Sequence, residues 1–126
     1  MLSAIMPWKY FKFEDFACKH CTKNLQSEEF ITKLDALRGD LGFALVVNSG
    51  YRCPEHNAAV SSTGLTGPHT TGLAVDLAVD RERAVLLLEA ALFVKYFRGF
   101  GVSQKGTGRF VHLDAINRPT RTIWSY

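Results

Sequence analysis

The sequence lacks a long hydrophobic run, is poor in cysteine and has no large excess of either charge. Its longest apolar-rich stretch, AVLLLEAALFV, contains a glutamate and is too short to span a bilayer. Lys and Arg number 15 against 12 Asp and Glu, for a net charge of +3, so the composition does not demand a nucleic-acid partner. Three cysteines cannot all pair within one chain, which argues against a disulfide framework.

The N-terminus lacks the pattern of a secretory signal. A proline and a lysine interrupt MLSAIMPWKYFKFEDF early, and no basic segment precedes a long apolar one. We therefore expect a protein that is made in the cytoplasm and does not insert into membranes. No repeat or Pro/Ser linker divides the 126 residues, so the sequence predicts a single domain over residues 1–126, which we expect to be monomeric.

Hydrophobic periodicity and turn residues predict a mixture of helices and strands. Residues 27–42 predict a helix that begins after Ser27 and ends at Gly42, with an apolar stripe of Phe30, Ile31, Leu34 and Leu37. The remaining predictions are a short buried strand in ALVVNSGYR, a helix from Pro54, a loop in SSTGLTGP, a strand over 72–79, a helix N-capped by Asp80, a glycine-rich connection in FRGFGVSQKGTG and a strand in RFVHLDA. This order favours an α+β fold with a small antiparallel sheet.

The stretch GPHTTGLAVDLAV carries a carboxylate within an apolar strand. An ionised carboxylate that is buried without a partner costs several kcal/mol or more, so Asp76 requires compensation. His69 lies seven residues before Asp76, and His112 lies in the last predicted strand. Two imidazoles and one carboxylate are a common ligand set for catalytic zinc. The same residues are also compatible with a loop histidine, a paired carboxylate and a core histidine.

These motifs resemble those of a known family. GPHTTGLAVD is similar to the S-x-H-x-x-G-x-A-x-D signature of the zinc peptidases that cleave peptidoglycan stem peptides, and SGYRCPEHN and RFVHLD are similar to the segments before and after it. The group includes D-alanyl-D-alanine carboxypeptidases and phage L-alanyl-D-glutamate endopeptidases, and its fold also occurs in Hedgehog signalling domains. The resemblance covers residues 11–114, and RPTRTIWSY is similar to phage-encoded members.

The resemblance implies roles for individual residues. His69, Asp76 and His112 match the zinc ligands, and Arg52 matches the arginine that meets the substrate. Such a zinc ion would polarise the scissile carbonyl and lower the pKa of its bound water toward ~7. The forked guanidinium of an arginine suits a substrate carboxylate or a developing oxyanion better than lysine does.

Two positions depart from the family pattern. Gly67 stands where the family has serine, so a hydroxyl contact to substrate or backbone is either absent or supplied by Ser61, Ser62 or Thr66, and we assign Ser62 and Thr66 to substrate binding.

The second departure concerns the general base. Arg109 stands where many members have a Glu or Asp, and an arginine cannot act as a general base. Asp114, two residues after His112, is the nearest substitute. It would either move the catalytic proton or orient a histidine through its second ring nitrogen.

The cysteines leave three alternatives. Cys18 and Cys21 form a C-x-x-C pair, and Cys53 and His56 form a C-x-x-H pair, which together would make a second, structural zinc site. Cys18 or Cys21 bonded to Cys53, or simple buried thiols, are the others.

The leading functional prediction is therefore a zinc metallopeptidase that hydrolyses an amide bond in peptidoglycan stem peptides. It would be D-Ala-D-Ala carboxypeptidase-like or endolysin-like, with Asp114 and Arg52 as catalytic residues. A zinc-fold module that binds the cell wall without catalysis, for example as a virion component, is the alternative, because the base is missing at Arg109. Either protein would reach the wall after release from the cell or within a virion.

Overall fold

The structure is a computed structural model that describes residues 8–126. The N-terminal stretch in which we expect no secretory signal begins before residue 8, so this expectation lies partly outside the described residues. The helices are α1 (Glu28–Leu41), α2 (Pro54–Val60) and α3 (Arg81–Val94), with 3₁₀ turns at Phe13–Phe16 and Pro68–Thr71. The strands are β1 (Val46–Ser49), β2 (Ala74–Ala78), β3 (Gly99–Ser103), β4 (Phe110–Asp114) and β5 (Thr122–Ser125).

Helix α1 begins and ends as the sequence predicts. The Ser27 hydroxyl accepts the backbone N–H of Phe30 at 3.1 Å, which caps the first turn. Gly42 ends the helix in the left-handed conformation with φ of 77°, where a side chain would be strained. The predicted stripe of Phe30, Ile31, Leu34 and Leu37 is buried, so this face of α1 packs into the core.

The five strands form one sheet in the order β1-β2-β4-β3-β5. Four strands pair antiparallel, and β5 is parallel to β3. The α+β class is therefore confirmed, with one parallel pair that the sequence did not predict. Alternate residues of β2 and β4, such as Leu77 and Leu113, belong to the main apolar core. The other face carries Asp76 and His112, so the sheet separates an apolar side from a polar side.

Three local predictions need correction. ALVVNSGYR does not form a buried strand, because β1 is at the sheet edge and the side chain of Val46 is 57% exposed. FRGFGVSQKGTG is not only a connection, since β3 lies within it. Two of the glycines that made it look like a loop, Gly99 and Gly101, lie in β3 where other side chains approach the strand closely. Strand β5 lies in a segment for which no strand was predicted.

The predicted N-cap of α3 is correct in position but not in bonding. Asp80 precedes α3, yet its side chain makes no capping hydrogen bond, and its carboxylate instead accepts from Arg81 at 3.1 Å. The start of α2 at Pro54 is as predicted. Among residues 8–126, no helix combines the length and apolar character needed to cross a bilayer.

Candidate metal centre

A row of residues crosses the polar face of the sheet. Asp76 on β2 pairs directly with His112 on β4, and Ser49 on β1 pairs with Asp76 on its other side. Gly101 on β3 pairs with both His112 and Trp124 of β5. The β1 register shifts between Val47 and Ser49, and this irregularity brings Ser49 opposite Asp76. Strand pairing alone therefore places the carboxylate and one imidazole side by side.

The second imidazole comes from the 3₁₀ turn at Pro68–Thr71. The Nδ1 atom of His69 lies 2.9 Å from the carbonyl oxygen of Gly50, which can only accept a hydrogen bond. Nδ1 therefore donates to this carbonyl, and the other ring nitrogen, Nε2, lies 3.3 Å from Asp76 Oδ1. The backbone N–H of Arg52 donates to the carbonyl oxygen of His69 at 3.1 Å, so the turn at residues 50–52 holds both ends of this histidine.

The spacing of the three side chains fits one metal ion. His69, Asp76 and His112 each offer a ligand atom, and these atoms lie within 4.8 Å of one another. Asp76 Oδ1 is 3.3 Å from His69 Nε2 and 3.0 Å from His112 Nδ1. Tetrahedral zinc with bonds of ~2.0–2.1 Å would hold its ligand atoms roughly 3.3 Å apart. The three residues predicted as ligands are thus brought together with a separation suited to zinc.

Asp114 lies on the other side of the His112 ring. Its Oδ2 atom is 2.8 Å from His112 Nε2, whereas Nδ1 is the nitrogen that faces Asp76. Asp114 is 0% exposed and accepts two hydrogen bonds from Arg118, at 2.7 Å and 3.2 Å. A fully buried carboxylate that is bonded to the far nitrogen and to an arginine orients the imidazole and increases its basicity. This geometry favours the orienting alternative over proton transfer by Asp114.

The pKa values of the site reflect these contacts. Burial raises the pKa of Asp76, but hydrogen bonds and charges from His112 and His69 outweigh it and hold that pKa well below its usual range. Burial likewise raises the pKa of Asp114, and His112 and Arg118 reverse the effect. Burial lowers the pKa of His112, but Asp114 and Asp76 raise it overall. The metal-free site therefore favours ionised carboxylates, which are the form that binds a metal.

Arg52 stands at the edge of the metal centre. Its Nε donates to Ser49 Oγ at 3.2 Å, and its Nη1 donates to Asn57 Oδ1 at 3.0 Å. The remaining nitrogen, Nη2, lies 3.6 Å from Asp76 Oδ2. Ser49 and Asn57 thus orient the guanidinium, and its remaining nitrogen, Nη2, points toward the candidate metal ligands.

The hydroxyl that Gly67 lacks comes from a residue that the sequence analysis did not consider. A side-chain carbon added to Gly67 would collide with the hydroxyl of Thr63 and lie 3.1 Å from Asn57 Nδ2. Thr63 Oγ1 accepts a hydrogen bond from that Asn57 amide at 2.8 Å. Thr63 therefore occupies the space of a serine side chain and supports Asn57, which in turn binds Arg52. Ser62 and Thr66 are exposed in the same loop, and their substrate-binding role stays a prediction.

Arg109 contacts the loop that precedes β4. Its Nε donates to the carbonyl oxygen of Gly106 at 3.0 Å, and it lines a surface hollow of about 410 Å³ with Asp80 and Arg81. Its hydrogen bond is therefore within the β3–β4 loop, and it faces the same hollow as the start of α3.

Two aromatic residues of the C-terminal segment border the site and were not among the predicted site residues. The Trp124 ring lies 5.3 Å from that of His112, centroid to centroid. A side-chain carbon on Gly101 would lie 2.7 Å from Trp124 Nε1 and 2.9 Å from Tyr126 Cε2. The glycine at 101 thus leaves room for these rings over the sheet. A glycine within an otherwise alternating segment was the available signal for such an approach.

The cysteines form a second cluster. The sulfur atoms of Cys18, Cys21 and Cys53 lie within 4.8 Å of one another, and all three are free thiols. Cys18 and Cys53 are buried, whereas Cys21 is exposed. His20, which the sequence analysis did not single out, places its Nδ1 atom 3.6 Å from Cys53 Sγ, and the predicted ligand His56 stacks on the His20 ring.

Comparison with known families shows to which family the chain belongs. The profile of the family described as Peptidase M15 matches residues 9–114, which include all three candidate ligands of the first centre. The chain belongs to the Peptidase M15 family. M15 peptidases are zinc-dependent metallopeptidases, and His69, Asp76 and His112 are candidate ligand groups for such an ion in this chain. No curated protein matches the chain well enough to indicate a closer relationship.

Proposed function

We propose that this M15 chain is a zinc-dependent hydrolase that cleaves an amide bond in peptidoglycan stem peptides. The observation that supports it is the set of His69, Asp76 and His112, whose ligand atoms lie within 4.8 Å of one another. Zinc held by these residues supplies a Lewis acid for a peptide carbonyl and lowers the pKa of water toward ~7. The chain's own residues then determine how the peptide is held and how the ligands are oriented.

Arg52 is the residue we assign to substrate binding. Ser49 and Asn57 hold two of its nitrogens, so the guanidinium is oriented before any peptide arrives. Stem peptides carry free carboxylates, and a guanidinium binds a carboxylate or a developing oxyanion with strong, directional hydrogen bonds. Both a terminal D-Ala carboxylate and a D-Glu carboxylate satisfy this chemistry, so carboxypeptidase and endopeptidase activity are both compatible with the site.

We assign a positioning role to Asp114. It holds the Nε2 proton of His112 and leaves Nδ1 free for zinc, just as the Gly50 carbonyl does for the opposite nitrogen of His69. Arg118 keeps Asp114 in place through its paired hydrogen bonds. The two histidines therefore present their metal-binding nitrogens toward Asp76 without rearrangement.

The same geometry favours a second candidate, a zinc-containing module that binds the cell wall without cleaving it. Asp114 is bonded to the far nitrogen of His112, and the guanidinium of Arg109 cannot accept a proton, so neither residue supplies a general base on the metal side of the site. A chain with this arrangement would retain the fold and Arg52 but hydrolyse slowly.

Muropeptide digestion distinguishes the two candidates. The zinc-loaded chain is incubated with purified muropeptides, and the products are analysed by mass spectrometry. Loss of terminal D-Ala indicates a carboxypeptidase, and a cut between L-Ala and D-Glu indicates an endopeptidase. Intact muropeptides together with retained binding would support the module and reject the hydrolase.

Variants of the ligands connect the activity to the metal. His69→Ala and His112→Ala should each lose the zinc of the first centre together with muropeptide cleavage, because a two-donor site binds zinc weakly. Lys105→Ala, an exposed loop residue, is the matched control and should keep both. Full zinc content in either histidine variant at the first centre would show that the ligand assignment is wrong.

A further inference from the structure

We propose that Cys18, Cys21 and Cys53, with His20 as fourth ligand, form a second, structural zinc site that is separate from the His69, Asp76 and His112 centre. The three sulfur atoms lie within 4.8 Å of one another and are free thiols. Three thiolates and one imidazole are a frequent ligand set of closed, structural zinc sites.

The local backbone presents the thiols as a C-x-x-C turn. The backbone N–H of Cys18 donates to the Lys23 carbonyl at 2.8 Å, and that of Thr22 donates to the Cys18 carbonyl at 2.9 Å. Thr22, next to Cys21, has φ of 63°, in the left-handed region. The chain therefore reverses direction between residues 18 and 23, and Cys18 and Cys21 point to the same place.

The third thiol is held against this turn from α2. Cys53 precedes the first residue of α2, and its backbone N–H donates to Cys18 Sγ at 3.3 Å. An amide N–H that points at a sulfur stabilises negative charge there, and the thiolate is the form of cysteine that binds metals. Cys18 and Cys53 are 2% and 5% exposed, so most of the site is protected from solvent.

Of the two histidines, His20 is the one for which the structure shows a contact with a thiol of the cluster. Its Nδ1 atom lies 3.6 Å from Cys53 Sγ. Tetrahedral zinc with bonds of ~2.3 Å to sulfur and ~2.0–2.1 Å to nitrogen would separate these two atoms by roughly 3.5 Å. The His56 ring stacks on the His20 ring, with centroids 5.5 Å apart and an angle of 5° between the planes. The structure thus assigns His56 to the support of a ligand.

The site would fasten the N-terminal segment to the turn that builds the first centre. Cys53 follows Arg52 directly, and the N–H of Tyr51 already donates to the Phe16 carbonyl at 2.8 Å. Gly50 packs so closely on Phe16 that an added side-chain carbon would lie 2.7 Å from its Cα. Because the carbonyl of Gly50 orients His69, a metal at the cysteines rigidifies the residues that position Arg52 and His69.

Metal content and cobalt spectroscopy test the proposal on the full chain. Under reducing conditions the wild-type protein should bind about two zinc ions, Cys21→Ser and His69→Ala about one each, and the double variant none. Cys21 is exposed, so its serine variant leaves the core intact. Wild-type chain titrated with Co²⁺ alone should show the strong near-ultraviolet absorption of thiolate-to-cobalt charge transfer, a readout that needs no variant.

Two matched variants, His20→Ala and His56→Ala, test which histidine is the fourth ligand. His20→Ala should weaken zinc binding at the cysteines by more than about 10-fold, since even the loss of a residue that supports a ligand typically costs that much. His56→Ala should weaken it less than His20→Ala. Equal affinities in His20→Ala and wild type would overturn the assignment of His20.

The outcomes separate this proposal from the proposed function. One cobalt ion per chain without charge-transfer absorption, unchanged in Cys21→Ser, would overturn the cysteine site and leave the hydrolase standing. Charge-transfer absorption that persists in His69→Ala would support the cysteine site whatever the fate of the hydrolase. A Cys18–Cys53 or Cys21–Cys53 disulfide that persists under these reducing conditions after metal loading would also overturn it.

Discussion

His112 and Asp114, two residues apart on β4, are joined by a 2.8 Å contact between Nε2 and Oδ2. This contact decides which nitrogen of His112 is free for a metal. It also places Asp114 at the nitrogen that faces away from Asp76, where Arg118 donates a hydrogen bond to the same carboxylate. Strand β4 therefore contributes a candidate ligand and the group that orients it.

Asp114→Ala should lower zinc affinity at the first centre by about 10–100-fold, because His112 loses its orienting partner. Activity should recover largely when zinc is added in excess. Zinc titration and muropeptide turnover at saturating zinc are the measurements. If the variant binds zinc normally but turns over about 10²–10⁴-fold more slowly, Asp114 transfers the proton instead.

Arg52→Lys should keep zinc and lose substrate affinity. Lysine cannot bond Ser49, Asn57 and a carboxylate together, as the forked guanidinium does. We expect kcat/KM for muropeptides to fall by about 10–100-fold, which is about 1.4–2.8 kcal/mol of transition-state stabilisation. Steady-state kinetics with zinc quantitation check this, and unchanged kinetics would remove Arg52 from the site.

Arg109→Ala should change zinc content and kcat/KM by less than about 2-fold. Its described contacts are with Gly106 and a hollow beside Asp80 and Arg81, not with the metal ligands. An effect within about 0.5 kcal/mol is typical of a surface substitution. A loss of activity beyond about 10-fold, with the fold intact by circular dichroism, would place Arg109 in the reaction.

Gly99→Ala should destabilise the protein by about 1–3 kcal/mol and weaken zinc binding. The added methyl group would collide with the carboxylate oxygens of Asp114 and lie 2.6 Å from its Cγ. Urea unfolding and zinc titration measure the two effects. Gly39→Ala is the matched control, because Gly39 is exposed within α1 and alanine there should stabilise the helix by about 0.5–1 kcal/mol. Equal stability of the two variants would contradict the close packing on Asp114.

The metal-free protein should lose stability at acidic pH through Asp114. Burial raises the pKa of this carboxyl, but His112 and Arg118 lower it overall. A carboxyl whose folded pKa lies below its unfolded value of ~3.9 stabilises the fold above that pH, and the stabilisation disappears as the pH falls through the folded pKa. Chelator-treated wild type should therefore lose more unfolding free energy between about pH 5 and pH 2 than Asp114→Asn does. Urea unfolding across this interval is the measurement, and equal losses would contradict the coupling.

Local patterns of the sequence were sufficient for several elements. The apolar spacing and caps of residues 27–42 predict α1 at its observed bounds, and Pro54 marks the start of α2. The order of His69, Asp76 and His112, together with the resemblance of their motifs to those of zinc peptidases, predicts a metal centre. These features depend on residues that are close in sequence or on chemistry that is specific to residue type.

Contacts between distant segments decided the rest. Strand β3 escaped prediction because Gly99 and Gly101 lower strand propensity, and the reason for them is the bulk of Asp114 and Trp124 on neighbouring strands. The role of Asp114 depended on which ring nitrogen it meets, which spacing along β4 does not reveal. Loop packing likewise decides that His20, rather than the predicted His56, contacts Cys53. It also decides that Thr63 fills the space next to Gly67. The sequence by itself therefore determined which residues carry the chemistry, and the tertiary structure decided the partner that each one faces, because pairing and packing bring together side chains that no local pattern connects.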